Sequence, residues 1–376
     1  MSASHDSPVY LNHAGTSWPK PPAVRRAVQA ALEEAHERWP ESFAQQHARV
    51  ARAFGARPER LLLTPGCTSA LATAIADLGW SAGDRVLTSA LEHHALHRPL
   101  SLLEAQGVQL SSIPRAQDGP LDLDALEAEL ARGPVRLVAM TGACNVTGEL
   151  LPLQRIVQLA HAHGALFLLD AAQIAGWLPI DVEALQVDLL AFAGHKALRA
   201  PWGIGGLYVA PQVALASPSA SCALPAPGAE AVACAPMPGY CDVGSVDRLA
   251  LAGLAAALDE AEEGCANERL DQARALLQPL EERLERMPRA RPLGVRDPEA
   301  RLPTLAFTIE GVTLPDALAA FSARALTVAG GLQCAPLAHQ TLGSAPAGAI
   351  RLSVGPTNSA ADIERAGEVL EQLCAD

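Results

Sequence analysis

Between Arg85 and Leu169 four short apolar runs are separated by three helix-compatible stretches, and this alternation leaves few folds open. The runs are Arg85 to Thr88, Val108 to Ile113, Val135 to Met140 and Ala165 to Leu169. The stretches between them are His94 to Gln106, Leu123 to Ala131 and Leu153 to His163. Strands joined through helices pair in parallel, and such a sheet is buried by helices on both faces. The pattern therefore predicts an α/β fold with a mainly parallel sheet, whose ligands bind beyond the C-terminal ends of the strands. Two more apolar runs, Asp188 to Phe192 and Gly206 to Val209, bracket Gly194-His195-Lys196 and the turn Gly203-Ile204-Gly205-Gly206.

Upstream, the turn-rich opening Tyr10 to Pro22 leads through its prolines into an expected helix over Ala23 to Arg38. Arg60 to Thr64 reads as a short strand, Pro65-Gly66-Cys67-Thr68-Ser69 breaks it, and Ala70 to Leu78 returns to helix composition. Residues from about Pro211 to Pro238 are rich in Ala, Pro and Ser and read as a long loop. Helices are expected over Leu249 to Glu263 and Glu268 to Arg286. Strands Leu305 to Ile309 and Ile350 to Val354 with helices Leu314 to Ser322 and Ala360 to Leu373 predict a smaller α+β domain. The expected division is a large domain over 17–262 and a small one made of 1–16 and 263–376, carrying Cys334.

Charge narrows the partners. Lys and Arg number 28 against 41 Asp and Glu, a net charge of -13 that repels phosphate backbones and anionic lipid surfaces. Neither nucleic acid nor a membrane is an expected partner. Met1 to Ser7 lack a basic segment followed by an apolar one, so no signal peptide is expected. The eight cysteines are scattered without a Cys-x-x-Cys pair, which argues against a disulfide framework or a metal site and for the cytoplasm.

Several residues stand where chemistry is done. Asp170 follows Leu166-Phe167-Leu168-Leu169 at a strand end, where it either caps the next turn or pairs with a cation such as a pyridinium nitrogen. Gln173 adds a polar group to the same pocket. Lys196, between a buried strand and a glycine-rich turn, is either a loop lysine or one whose lowered pKa suits a Schiff base. Its neighbour His195 makes at least a structural hydrogen bond. Gly66-Cys67-Thr68-Ser69 at a helix start is either an ordinary cap or a seat for a phosphate. His93, in Glu92-His93-His94-Ala95 just after a strand, is either a surface histidine or a cover for a flat ring. No Gly-x-Gly-x-x-Gly opens the first βα unit, which weakens a nicotinamide or flavin reading. His-Glu-x-x-His and Gly-x-Ser-x-Gly are missing too.

In this order the elements resemble pyridoxal-phosphate enzymes of aminotransferase class V, within it the cysteine desulfurase and selenocysteine lyase group. The resemblance begins at Tyr10-Leu11-Asn12-His13-Ala14-Gly15-Thr16-Ser17 and takes in Gly66-Cys67-Thr68, Glu92-His93-His94-Ala95 and Cys144-Asn145-Val146-Thr147-Gly148. It continues through Asp170-Ala171-Ala172-Gln173 and Gly194-His195-Lys196 to Cys334-Ala335-Pro336-Leu337-Ala338-His339 and Arg351-Leu352-Ser353. It implies fold type I of the pyridoxal-phosphate-dependent transferases and pyridoxal 5'-phosphate as cofactor. It further implies that Lys196 holds the cofactor as a Schiff base and moves the Cα proton, that Asp170 meets the pyridine nitrogen, and that Gln173 meets the phenolic oxygen. His93 would stack on the ring as a catalytic residue, Cys67, Thr68 and His195 would seat the phosphate, Asn145 would meet both cofactor and substrate, and Arg351 would face the substrate. Ser245 matches a hydroxyl residue that reaches the phosphate of a partner subunit, so a homodimer is implied.

Cys334 matches the nucleophile that takes sulfur from cysteine, giving alanine and a persulfide. The resemblance thus implies a desulfurase acting on L-cysteine or selenocysteine, with a sulfur-acceptor protein as a possible partner. Two alternatives stand beside it: a C–S β-lyase giving pyruvate, ammonia and sulfide or persulfide, and a sulfur-relay scaffold of low activity. The chain departs from the group at Ala329 and Gln333, where Arg and His are common, and at Ala193, where a Ser or Thr hydroxyl is usual. Near Ser245 the usual Gly-Thr-x-Asn becomes Gly244-Ser245-Val246-Asp247, with Arg248 following.

Overall fold

Burial of both faces of a parallel sheet requires near-continuous apolar strands, and the strands of the computed structural model, which describes residues 7–215, 245–263 and 266–375, meet that requirement except at the polar edge strand Gln109–Ile113. In chain order the first elements are β1 (Val9–Tyr10), α1 (Pro22–Glu33), α2 (Trp39–Ala53), β2 (Leu61–Thr64), α3 (Cys67–Asp77), β3 (Arg85–Ser89) and α4 (His94–Leu103). Then come β4 (Gln109–Ile113), α5 (Leu123–Ala131), β5 (Leu137–Thr141), α6 (Leu153–Ala162), β6 (Leu166–Asp170), β7 (Leu189–Ala193) and β8 (Gly205–Val209). The remainder comprises α7 (Arg248–Glu263), α8 (Ala266–Arg286), β9 (Ala290–Leu293), β10 (Thr304–Ile309), α9 (Leu314–Ala323), β11 (Leu326–Thr327), β12 (Ala329–Gly331), α10 (Pro336–Thr341), β13 (Ala349–Ser353) and α11 (Ala360–Ala375).

The main sheet has the order β2-β8-β7-β6-β5-β3-β4. Its pairs are parallel except those of β8, which runs antiparallel to both β2 and β7. The sheet is therefore mixed and mainly parallel, as its alternating sequence predicts. β5, β7 and β8 are buried at every residue, and Phe192 of β7 stacks on Phe54 beyond α2 with ring centroids 4.4 Å apart. Gly205 is required by a close approach: a Cβ there would lie 2.8 Å from Gly66 Cα, in the loop that opens α3.

The helix expected over Ala23 to Arg38 is shorter. α1 ends at Glu33, Glu34 and Ala35 turn extended, and α2 starts at Trp39 with Pro40 in its first turn. Proline is tolerated there because the first-turn N–H has no intrahelical partner, so Pro40 opens a helix. The long loop expected over 211–238 falls outside the described residues beyond Leu215.

A second sheet, β12-β13-β10-β9, is antiparallel, and β1 pairs in parallel with β11. Through β1 and the bridge from Asn12 to Ser353, the first described residues are tied to β11 and to the last strand, β13. No helix among the described residues is long and apolar enough to cross a membrane.

Candidate active site

The C-terminal ends of β2, β3, β5, β6 and β7 lead into one cavity of about 550 Å³. Lys196, Cys334, His93, Asp170, Gln173, Cys67, Thr68, Asn145, His195 and Arg351 all line it. Ser245 does not. It is exposed just before α7, which Asp247 caps by accepting from the Ala250 N–H at 2.9 Å.

Asp170 ends β6 and is buried, its Oδ1 accepting from the Ala172 N–H at 2.9 Å and from the Cys67 thiol at 3.3 Å. Burial first, then the Asp170 charge, pushes the Cys67 thiol up, so it stays protonated and donates. α3 begins at Cys67 with Gly66 as a cap that has no side-chain bond to offer, leaving first-turn N–H groups open to an anion. Lys196, two residues beyond the Gly194 turn that follows β7, has its ammonium pKa lowered by burial, against the opposing pull of Asp170. His93 caps α4, its Nδ1 accepting from the Ala95 N–H at 3.0 Å. That bond leaves the ring proton on Nε2, and burial, then the Lys196 charge, lowers its pKa to about 4. His93 is therefore a neutral flat ring at neutral pH. Gln173 is held by a bond from Nε2 to the Ala14 carbonyl at 3.1 Å.

On the other side of the cavity Arg351, in β13, is buried and still charged, its pKa lowered by burial to about 10. Its Nη1 donates to the Asn145 carbonyl and its Nη2 to Asn12 Oδ1, both at 2.7 Å. Asn145 Nδ2 donates to the Gln333 carbonyl at 2.8 Å, while its Oδ1 is buried without a protein partner and is free to accept from a ligand. Cys334 is exposed and left-handed at φ +58°, after Gln333 at φ +41°. That conformation costs about 1–2 kcal/mol for each non-glycine residue, so the surroundings must hold it. Part of the hold is the His94 N–H, which donates to the Cys334 carbonyl at 2.8 Å.

Some contributors have no role in the sequence reading. Asn12 orients Arg351, a contact that follows from β1 pairing with β11 and Asn12 bridging to Ser353. Lys20 donates to the His195 carbonyl at 2.9 Å and to Ser17 Oγ at 3.0 Å, with its Nζ 5.2 Å from the centre of the Trp202 ring. Burial, then the Arg199 charge, lowers its pKa to about 8. In Trp18-Pro19-Lys20-Pro21 the only signal is a lysine confined by prolines.

Glu92, fully buried beside His93, accepts from Ser89 Oγ at 2.5 Å and from the Thr141 N–H, joining the ends of β3 and β5. Burial raises its pKa to about 8. The native state then binds a proton that the unfolded chain loses above the ordinary 4.5, so this group's stabilisation is present below pH 4.5 and is lost as pH rises toward 8. Glu92→Gln is expected to remove that loss: the melting temperature of the variant minus that of wild type should climb between pH 5 and pH 9. A constant difference would show that Glu92 does not titrate there.

The aminotransferase class-V family model matches residues 9–366, and the chain belongs to that family. A cysteine desulfurase IscS of Dictyoglomus turgidum is 31% identical over 187 residues, 49% of this chain and 44% of that one. The chain spans about half the length of the curated relatives it matches. The apo cysteine desulfurase of Thermococcus onnurineus NA1 superposes with a TM-score of 0.86 at 25% identity, over 98% of this chain and 95% of that one. The cystine C–S lyase C-DES, solved with its product cysteine persulfide, has the same fold at a TM-score of 0.82 and 23% identity, over 98% and 97% of the two chains.

Proposed function

We propose that this chain is a pyridoxal-phosphate-dependent cysteine desulfurase, converting L-cysteine or selenocysteine to alanine with the chalcogen taken up by Cys334. The supporting observation is the convergence on one cavity of an amine, a buried carboxylate, an uncapped helix N-terminus and an exposed thiol. These residues fit pyridoxal phosphate. The first turn of α3 with Thr68 and His195 suits the phosphate, Asp170 the pyridine nitrogen, Lys196 the aldehyde, Gln173 the phenolic oxygen and His93 the ring face. Bound there, the cofactor would supply an electron sink that loosens the bonds to the substrate's Cα.

The chain's own residues do the rest. Arg351 presents its guanidinium to the substrate carboxylate, with Asn145 Oδ1 open beside it to accept from the substrate. Lys196, shifted toward its neutral form, takes the Cα proton. Cys334 Sγ attacks the substrate sulfur: an S–S bond forms as the Cβ–S bond breaks, and the carbon keeps the electron pair and gains a proton.

A specific observation favours a second reading, a C–S β-lyase. At Ala329 and Gln333 the cavity presents neither cation nor imidazole, and C-DES, a lyase by name, shares the fold. Quantifying alanine and pyruvate together from L-cysteine, with cofactor and a thiol reductant, decides between the two. Alanine in step with sulfide supports the desulfurase, and pyruvate in step with sulfide the lyase. A protein that binds the cofactor yet turns over no sulfur amino acid would leave the relay scaffold.

The remaining parts of the proposal are a homodimer in which Ser245 serves the partner's phosphate seat, a protein sulfur acceptor, a cytoplasmic location and the domain division at 17 and 262. Lys20 belongs to it as well. Its ammonium braces the His195 carbonyl, next to Lys196 and close to the phosphate seat, where Ala193 contributes no hydroxyl. Lys20→Ala is expected to weaken cofactor retention roughly tenfold, the loss of one charge-assisted bond. Equilibrium dialysis against pyridoxal phosphate measures this, and unchanged retention would remove Lys20 from the site.

A further inference from the structure

A hydrogen-bond chain runs behind the Cys334 loop, built from residues to which no role has been given. His339 in α10 is fully buried. Its Nε2 lies 2.8 Å from Gln333 Oε1 and its Nδ1 2.7 Å from Ser344 Oγ. An amide oxygen only accepts, so Nε2 carries the proton, and Nδ1 of the neutral ring accepts a hydrogen bond donated by the Ser344 hydroxyl. The amide is fixed in turn, because its Nε2 donates to the Ala349 carbonyl at 2.8 Å. Each of the three links thus pairs one donor with one acceptor. The Gln333 carbonyl is taken by Asn145 Nδ2, so the residue is held through both its side chain and its backbone.

Gln333 and Cys334 are the two consecutive left-handed residues of this loop. A non-glycine residue leaves that conformation when nothing holds it. We infer that His339, acting through Gln333, is the positioning residue that holds Cys334 in the backbone conformation from which its thiol reaches the substrate sulfur. The inference rests on the desulfurase reading of the same cavity. It gives Gln333 a use unlike that of an imidazole at its place: the amide bonds inward to His339 and Ala349, and an amide, unlike an imidazole, gives up no proton at neutral pH.

Holding matters because two outcomes compete at the Cβ–S bond. With Cys334 in reach, the sulfur passes to Sγ and the carbon keeps the electron pair, giving alanine. With Cys334 out of reach, sulfide leaves with the pair, and hydrolysis gives pyruvate and ammonia.

The test uses the full chain loaded with cofactor and three variants: Gln333→Met, which keeps the shape without the bonds, His339→Phe, and His339→Gln, which restores a donor near Nε2. The alanine-to-pyruvate ratio from L-cysteine is expected to fall about tenfold or more in the first two, the loss caused by a misplaced group, and to recover in His339→Gln. Exchange of the Cα hydrogen of L-alanine for deuterium, which needs no thiol, should stay within about twofold in His339→Phe. An unchanged ratio in both Gln333→Met and His339→Phe overturns the inference, and so does an exchange rate that falls with the ratio, which would mean general damage. If wild type itself forms no alanine, the desulfurase reading fails separately. Iodoacetamide labelling of Cys334, with Cys374 as internal reference, then decides. A rate altered about threefold or more in Gln333→Met supports the positioning role, and an equal rate overturns it.

Discussion

Lys196→Ala is expected to abolish formation of both alanine and pyruvate from L-cysteine, by roughly a thousandfold or more. The desulfurase and the lyase both require an amine at this position that can lose a proton, take one from Cα and return it. Burial supplies the first requirement by lowering the Lys196 pKa, and the opposing pull of Asp170 keeps the group from being merely a neutral amine in an apolar pocket. Lys196→Arg should be equally inactive, since a guanidinium is never the free base at neutral pH, which separates the proton-carrying role from the charge. The measurement is product quantification for both variants beside a melting curve, because Lys196→Ala also removes a positive charge that acts on the buried Asp170. A folded Lys196→Ala protein that kept near wild-type turnover would overturn the mechanism.

How much of this was legible in the residues follows from which contacts are local. Asp170, Lys196, His93 and the α3 start are each fixed by the strand they follow, and an apolar strand ending in one polar residue is a local signal. The alternation from Arg85 to Leu169 is local in the same sense, and its elements form within two residues of expectation, with the last turn of the helix after His94 tightening to 3-10 geometry. The contacts that read poorly join distant segments. Asn12 meets Arg351 because β1 pairs with β11 and Asn12 bridges to Ser353, a closure that no periodicity reports. His339 lies within the resemblance, yet its role depends on the left-handed turn at Gln333 and Cys334, where neither residue is the glycine that would announce it. Pro40 misleads in the opposite way, because proline marks the end of a helix and its first turn alike.

Cys334→Ser is expected to lower alanine formation by about a thousandfold while leaving the deuterium exchange of L-alanine within about threefold of wild type. A serine hydroxyl fills nearly the same space and keeps the backbone bond from the His94 N–H, so the loop should persist and only the nucleophile is lost. The effect is large because a hydroxyl is hardly ionised at neutral pH, and an S–O bond is a poor exchange for the persulfide S–S bond. Retained exchange would show that Lys196, Asp170 and the cofactor are intact, so the lost step is sulfur capture. The residual flux is informative too: with the thiol gone, the Cβ–S bond can break only with sulfide leaving, and the small product pool should shift from alanine toward pyruvate. Cys67 offers no substitute, since it is buried, kept protonated by burial and committed to Asp170. Alanine formation undiminished in Cys334→Ser would refute sulfur capture at this residue, and undiminished pyruvate as the main product of both proteins would establish the lyase.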